Sequence, residues 1–173
     1  MELLTVALLI AVSSAIVLPR IDWEGRQFRS AVVDVQSVLV RAQRYAVLRQ
    51  HDVIVVFERD AMRLTVHADA NNDGAIQADE EVTVHELAPG IVFDRAGRPP
   101  LDWGGSAVSF ADGRITFHRD GSASARGGVY LSSVRRSRTG GWSWETVAMQ
   151  VERSTGRVTC LQYLNSAWVT PCR

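Results

Sequence analysis

A chain of 173 residues that is 46% apolar and 22% charged holds enough hydrophobic surface for one packed core, which excludes intrinsic disorder. Its 19 basic and 19 acidic side chains cancel, so net charge selects neither nucleic acid nor a membrane surface as partner. The charges are nonetheless unevenly placed, with 8 arginines against 14 acids over residues 1–94 and 11 arginines against 5 acids over 95–173; lysine is absent, so every fixed side-chain cation is a guanidinium.

Residues 3–18, LLTVALLIAVSSAIVL, carry no charge. At about 1.5 Å per residue such a helix reaches about 24 Å, slightly short of a bilayer span. A secretory signal opens with a positive segment, whereas the one charged side chain ahead of this run is Glu2, so a membrane anchor is expected rather than a cleaved leader. A carboxylate carried into a bilayer costs about 2.5–3.5 kcal/mol at mid-depth, and Glu2 therefore needs a reason to be there. The string MELLTVALLIAVSSAIVLPRI resembles the N-terminal helix of type IV pilins and type II secretion pseudopilins, in which a glutamate precedes an apolar run that ends at a proline. Glu2 and Pro19 match that spacing. The resemblance implies that residues 1–19 form a transmembrane and assembly helix, first an anchor and later filament core, and that Glu2 pairs with the N-terminal amine of a neighbouring subunit. The basic leader, its glycine and the three residues that normally precede the family's glutamate-bearing run are missing from the sequence, and a start codon placed too late is the expectation. Three restored apolar residues bring the run to about nineteen, close to the roughly 20 of a full span.

After Pro19, an amphipathic continuation over 20–51 is predicted from the single apolar stripe formed by Phe28, Val32, Val35, Leu39, Ala42 and Ala46. Arg41, Arg44 and Arg49 lie mostly off the stripe, and Gln50-His51-Asp52 ends it. One apolar face needs a flat apolar partner, and the rest of the chain supplies strands. Alternation predicts them at 53–57, 62–68, 81–87, 91–94, 107–111, 114–118, 128–133, 144–151 and 157–163, with turns at Asp112-Gly113 and Asp120-Gly121. The fold class expected is α+β, a long N-terminal helix packed on an antiparallel β-rich domain that occupies 52–173. The two cysteines, Cys160 and Cys172, flank two short β runs around Asn165-Ser166; a hairpin there sets them opposite each other. Their disulfide closes a loop of about a dozen residues, contributes roughly 3 kcal/mol in the chain-entropy model and requires an oxidising compartment such as the periplasm.

The junction RAQRYAVLRQ, the phrase FADGRITFHRDGSASARGGVYLSS and the terminal TGRVTC, in that order behind the apolar helix, resemble the GspH/FimT class of minor pseudopilins over nearly the whole chain. That resemblance implies a single-pass inner-membrane protein with its C-terminal domain in the periplasm, whose partners are other pseudopilins or pilins, the inner membrane and the secretion or pilus machinery. Its expected role is assembly at or near the tip of a type II secretion pseudopilus. A FimT-type minor pilin acting in pilus priming or DNA uptake is the alternative, and a free periplasmic calcium-binding module is an alternative of another class.

The sharpest local motif is Asp69-Ala70-Asn71-Asn72-Asp73-Gly74-Ala75-Ile76-Gln77-Ala78-Asp79-Glu80, which has the spacing of a twelve-residue EF-hand loop. Calcium takes six to eight oxygens, and Asp69, Asn71, Asp73, the Ala75 carbonyl, Gln77 and Glu80 are the candidate ligands, with Ile76 tying the loop to a core. The flanks MRLTVHA and EVTVHELA alternate as strands, so the loop caps a hairpin; a turn built on side-chain to backbone bonds, without metal, is the competing reading. Strand parity is expected to set His67 and His85 on the solvated face opposite Leu64, Val66, Val82 and Val84. No G-x-S-x-G, H-E-x-x-H or P-loop signature occurs, and no enzymatic activity is expected. Arg135, Arg136 and Arg138, followed by Trp142 and Trp144, combine cations with stacking surfaces suited to nucleic acid, but a solvated loop between strands is the preferred reading. Gly156-Arg157-Val158-Thr159 lacks the second arginine of the DNA-contacting segment in FimT-like pilins.

Overall fold

The structure, a computed structural model, describes residues 23–78, 80–136 and 142–172. The predicted assembly helix over 1–19, with Glu2 and Pro19, lies outside the described residues. Among the described residues no helix is long and apolar enough to cross a membrane.

Helix α1, Trp23–Arg49, opens the described chain. It ends where Gln50 turns to a φ of 61° and its side-chain amide donates back to the Val47 carbonyl at 2.7 Å, satisfying one of the orphaned acceptors of the last turn. The predicted stripe is the buried face: Phe28, Ala31, Val32, Val35, Val38, Leu39, Ala42 and Ala46 are all at most 5% exposed.

Among the described residues nine strands follow: β1 Asp52–Glu58, β2 Arg63–Asp69, β3 Glu81–Glu86, β4 Ile91–Val92, β5 Arg114–Phe117, β6 Gly127–Arg136, β7 Trp142–Val151, β8 Val158–Leu164 and β9 Ala167–Val169. They form two antiparallel sheets, one in the order β3-β2-β1-β5 and the other β4-β6-β7-β8-β9. Helix α1 packs on β1 and β5 of the first sheet and on β6 and β8 of the second. Its face therefore shares one core with Val53, Val55, Ile115 and Phe117 on one side and Val129, Leu131, Val147 and Met149 on the other. Phe57 joins the layers, stacked on Phe110 at 5.7 Å and edge-on to Phe93 at 6.0 Å.

Residues 107–111, expected as a strand, do not form one. The segment touches β6 through a lone bridge, Val108 to Val129, and two flanking backbone bonds, then turns so that Phe110 enters the core. Glycines 127 and 128 make this approach possible. A Cβ on Gly127 would lie 2.5 Å from Ser109 Oγ, and one on Gly128 would lie 2.4 Å from the Met149 carbonyl and 2.7 Å from the Trp103 ring.

On the far face of the second sheet, the segment before residue 105 crosses a row of aromatic rings. Tyr130 is fully buried under Trp103, at 4.5 Å, and Trp168, at 5.6 Å. Its hydroxyl accepts from Leu101 N–H at 2.7 Å and donates to the Gly104 carbonyl at 3.0 Å, so the buried phenol is satisfied. The Trp168 indole donates to the Pro99 carbonyl at 3.0 Å. At the C-terminal half of α1, the Gln43 amide donates to the carbonyls of Gly121 and Thr155, at 3.4 and 3.1 Å, and holds two turns against the helix. Gly156 lets those turns meet, because its φ is 59° and a Cβ there would lie 2.5 Å from the Gly121 carbonyl.

Cys160 and Cys172 form the expected disulfide, with Cα atoms 5.4 Å apart. The β8–β9 hairpin, whose register pairs Leu164 with Ala167, brings them together. Cys172 then lines a small cleft against Phe28 and Val32 of α1, so the crosslink fastens this segment to β8 and the segment packs against the helix.

Candidate functional site

The acidic loop is the densest polar construction outside the sheets, and it is built from β2 outward. Strand β2 ends at Asp69, whose side chain is fully buried although the loop beyond it is exposed. Its two carboxylate oxygens accept from the backbone: Oδ1 from Asp73 N–H at 3.1 Å, and Oδ2 from Gly74 N–H at 2.8 Å. Gly74 takes the left-handed bend, φ 73°, that the spacing demanded. Asn71 Oδ1 also accepts from Asp73 N–H, and Asp73 Oδ1 accepts from Ala75 N–H at 2.8 Å. The amides of Asn71 and Gln77 both donate to Asp73 Oδ2. Glu80 closes the loop, with Oε2 accepting from Gln77 N–H at 3.1 Å and Oε1 buried without a partner.

These bonds are the ones a self-built turn uses, and their acceptor oxygens are those the calcium reading assigns as ligands. Among the described residues no three His, Cys, Asp or Glu side chains are placed to hold a metal ion together. The oxygens of Asp69 and Asp73 are engaged by main-chain and amide N–H groups of the same loop, which is how Asn, Asp and Gly build a tight turn on their own. Ile76 does not tie the loop to a core; it is 45% exposed at the tip. The anchoring is polar instead, through Asp69 and through Asn72, whose Oδ1 accepts from Asp52 N–H of β1 at 2.7 Å.

The histidines depart from expectation. In β2, Leu64 and Val66 face α1 and His67 faces away, as parity requires, but His67 is only 8% exposed rather than solvated. In β3 the expected face is reversed. The register pairs Leu64 with His85 and Val66 with Thr83, so His85 lies on the helix side, while Val82 and Val84 lie on the far side beside His67 and Thr65. Strand periodicity fixes alternation within each strand, but which face β3 presents depends on where the hairpin register falls across a twelve-residue loop. Burial lowers the His85 pKa, the nearby Arg41 guanidinium lowers it further, and Asp34 opposes both. His118 is held at its Nδ1 by Asp52 Oδ2 at 2.7 Å, and His51 packs edge-on to Tyr45.

Of the arginine-rich segment, the backbones of Arg135 and Arg136 end β6, paired with Ser143 and Trp142. Their side chains lie outside the described residues, as does Arg138. The neighbouring Trp144 is 40% exposed. Sequence reasoning passed over Arg98, which donates to the Trp144 carbonyl at 2.7 Å and sits 5.0 Å from the centre of the Tyr163 ring. Its place beside these residues comes from the crossing segment, and no local pattern around Arg98 marks it. Comparison of the chain with protein-family models, with curated proteins and with solved structures finds no match, so the functional reading stands on the residues themselves.

Proposed function

We propose that this chain is a minor pseudopilin, an assembly subunit held in the inner membrane by its N-terminal apolar run, with the antiparallel domain in the periplasm. The observation that carries the reading is α1. It begins shortly after the uncharged 3–18 run and then buries eight side chains, from Phe28 to Ala46, beneath both sheets. A domain gripped along the length of one helix is mechanically joined to whatever holds that helix's N-terminal extension. In this reading residues 1–19 exchange lipid for neighbouring helices, and Glu2 sets the register through a cation on the adjacent subunit, because an unpaired carboxylate in that setting is costly. The Cys160–Cys172 crosslink is consistent with an oxidising compartment. No step of this role is catalytic.

A minor type IV pilin that touches DNA is the second reading. It rests on Arg135 and Arg136 at the end of β6 beside the exposed indole of Trp144. Both readings share one test. In cells of the source organism, the intact polypeptide including residues 1–18 is expected in the inner-membrane fraction. Crosslinks between subunits are expected to fall sharply in a Glu2→Ala variant that remains membrane-bound. Intact chain in the aqueous extract, or unchanged crosslinking by Glu2→Ala, defeats the assembly role. Loss of transformation with retained secretion in an Arg135→Ala, Arg136→Ala double variant favours the pilin over the pseudopilin.

A further inference from the structure

Among the described residues the outermost strands of the two sheets are β3 and β5, and β4 and β9, and three of these four are closed to pairing or too short for it. Strands β4 and β9 are two and three residues long. The outer edge of the four-residue β5 is covered by its own following turn, through a Phe117–Ala123 bridge, Ser124 N–H to the Thr116 carbonyl and His118 N–H to the Ser122 carbonyl. The fourth edge is β3, six residues long and mostly exposed. Leu87 N–H bonds the Met62 carbonyl, and with the β2–β3 register this makes Leu64–His85, Val66–Thr83 and Ala68–Glu81 the hydrogen-bonded pairs. The N–H and C=O groups of Val82, Val84 and Glu86 then point away from the sheet. Glu81 and Glu86 place charge at the two ends of the strand, but among the described residues no proline or bulge guards Val82 and Val84 between them, although natural proteins commonly protect a long edge in one of those ways.

Beneath this edge lies a groove of about 440 Å³ between β3 and α1. Arg41, Arg44, Tyr45 and Leu48 of the helix form one wall and Thr83 and His85 of the strand the other. Leu48 is 80% exposed above it. Glu81 also lines the groove, its carboxylate accepting from the Tyr45 hydroxyl at 2.9 Å, so the two guanidiniums of Arg41 and Arg44 stand against one carboxylate. The groove thus presents guanidinium charge over an apolar floor.

We infer that β3 is a strand-addition site: an extended segment of another protein, alternating apolar and polar residues and bearing an acidic side chain, pairs with Val82, Val84 and Glu86. Its apolar side chains enter the groove under Tyr45 and Leu48, and its acid meets Arg41 or Arg44. Main-chain bonds supply affinity and the groove supplies specificity, the usual division in β-augmentation. A second copy of this chain fits less well. Two-fold pairing of β3 with itself sets both helices on the same face of the joined sheet and brings Arg41 and Arg44 of each copy together without an added acid.

The test pans a phage-displayed library of random twelve-residue linear peptides against the full chain in detergent micelles. The expected survivors alternate apolar and polar residues and carry an aspartate or glutamate. Binding of a synthetic survivor slows amide exchange at Val82, Val84 and Glu86. Val84→Pro removes an outward N–H that the β2–β3 ladder does not use, and binding is expected to weaken about tenfold or more, as befits the loss of one or two main-chain bonds. Arg44→Glu, an exposed change that leaves the sheet untouched, weakens the same peptide and is rescued by an acid-to-lysine peptide. An empty selection, survivors that bind both variants as well as the parent, or exchange protection elsewhere overturns the proposal. Concentration-dependent dimerisation abolished by Val84→Pro overturns it in favour of a second copy.

Discussion

Replacing Asp69 by alanine tests whether the acidic loop is a self-sufficient turn. The carboxylate is fully buried and accepts two main-chain N–H groups, at 3.1 and 2.8 Å. Hydrogen bonds to a charged acceptor contribute about 1.5–3 kcal/mol each when buried. Asp73 and Gly74 are themselves exposed, so water recovers part of that loss once the carboxylate is gone. The expected net cost is about 2–3 kcal/mol, and about 1–1.5 kcal/mol for Asp69→Asn, which keeps one acceptor oxygen and loses the charge. Urea denaturation of the parent and both variants, with and without millimolar calcium, measures it. Amide exchange at Asp73 and Gly74 should quicken in Asp69→Ala before the rest of the domain changes. A loss below about 0.5 kcal/mol would show that these bonds do not hold the loop. A parent that is strongly stabilised by calcium, with Asp69→Ala and Glu80→Ala insensitive to it, would show that the loop's oxygens serve a metal after all.

Gly128→Ala drives a methyl group to 2.4 Å from the Met149 carbonyl; because main chain cannot rotate away, a cost of about 2–3 kcal/mol is expected, read as a fall in Tm of roughly 4–10 °C by calorimetry. Reducing the Cys160–Cys172 crosslink, whose partners are 12 residues apart, frees the Cys172 segment from β8 and is expected to cost about 3 kcal/mol in urea denaturation with reductant against without. The pH dependence has a defined sign at His85: its folded-state pKa lies below the ordinary 6.5 because burial and Arg41 disfavour the imidazolium, so the unfolded chain binds the extra proton more readily. The resulting stability is fully present above about pH 6.5 and is lost as pH falls through the folded value. A His85→Gln variant should lose less stability than the parent between pH 7 and 5.5, and parallel profiles would refute the assignment.

The helix was legible because its stripe repeats over five turns and no stronger local signal competes with it. Most strands were legible for the same reason, each being a run of alternation closed by a glycine or an Asn-Asp turn. The failures share a cause. Residues 107–111 alternate like a strand, yet they approach β6 where Gly127 and Gly128 admit side chains across the sheet, and that long-range accommodation leaves no mark in the segment itself. The face of β3 depended on register across a loop, and register is a property of pairing rather than of either strand. Asp69, Asn71, Asp73, Gly74, Gln77 and Glu80 were singled out by spacing; the structure arranges the first four, with the Gln77 amide, into hydrogen bonds around Asp69 and Asp73, and pairs Glu80 with the Gln77 N–H. Arg98 and the Trp103–Tyr130–Trp168 stack arise from a segment crossing a sheet, and periodicity carries no information about such a crossing.

The way α1 is buried bears on what the proposed subunit must withstand. If the domain hung from the helix by one strong contact, pulling on the segment before Trp23 would open that contact first and the rest would follow. Its core side chains instead run from Phe28 to Ala46, about 27 Å along the axis at 1.5 Å per residue. Both sheets share them, so a load applied at the helix start acts against many apolar contacts in parallel. Further polar ties are spread along the same length: Gln27 reaches the Pro89 carbonyl near the start, Gln43 holds the turns at Gly121 and Thr155, and Tyr45 holds Glu81 near the end. The disulfide keeps the C-terminal hairpin closed where Cys172 packs against Phe28 and Val32. Burial along one face is how an amphipathic helix packs on sheets in general; in the proposed subunit the same packing spreads the load. Truncating Phe28 and Ala46 to glycine separately should therefore lower stability by different amounts, and under force applied from residue 23 each should lower the unfolding force only in proportion to its own equilibrium cost; a disproportionate loss for Phe28, nearest the load, would show that the contacts open one after another and refute the shared grip.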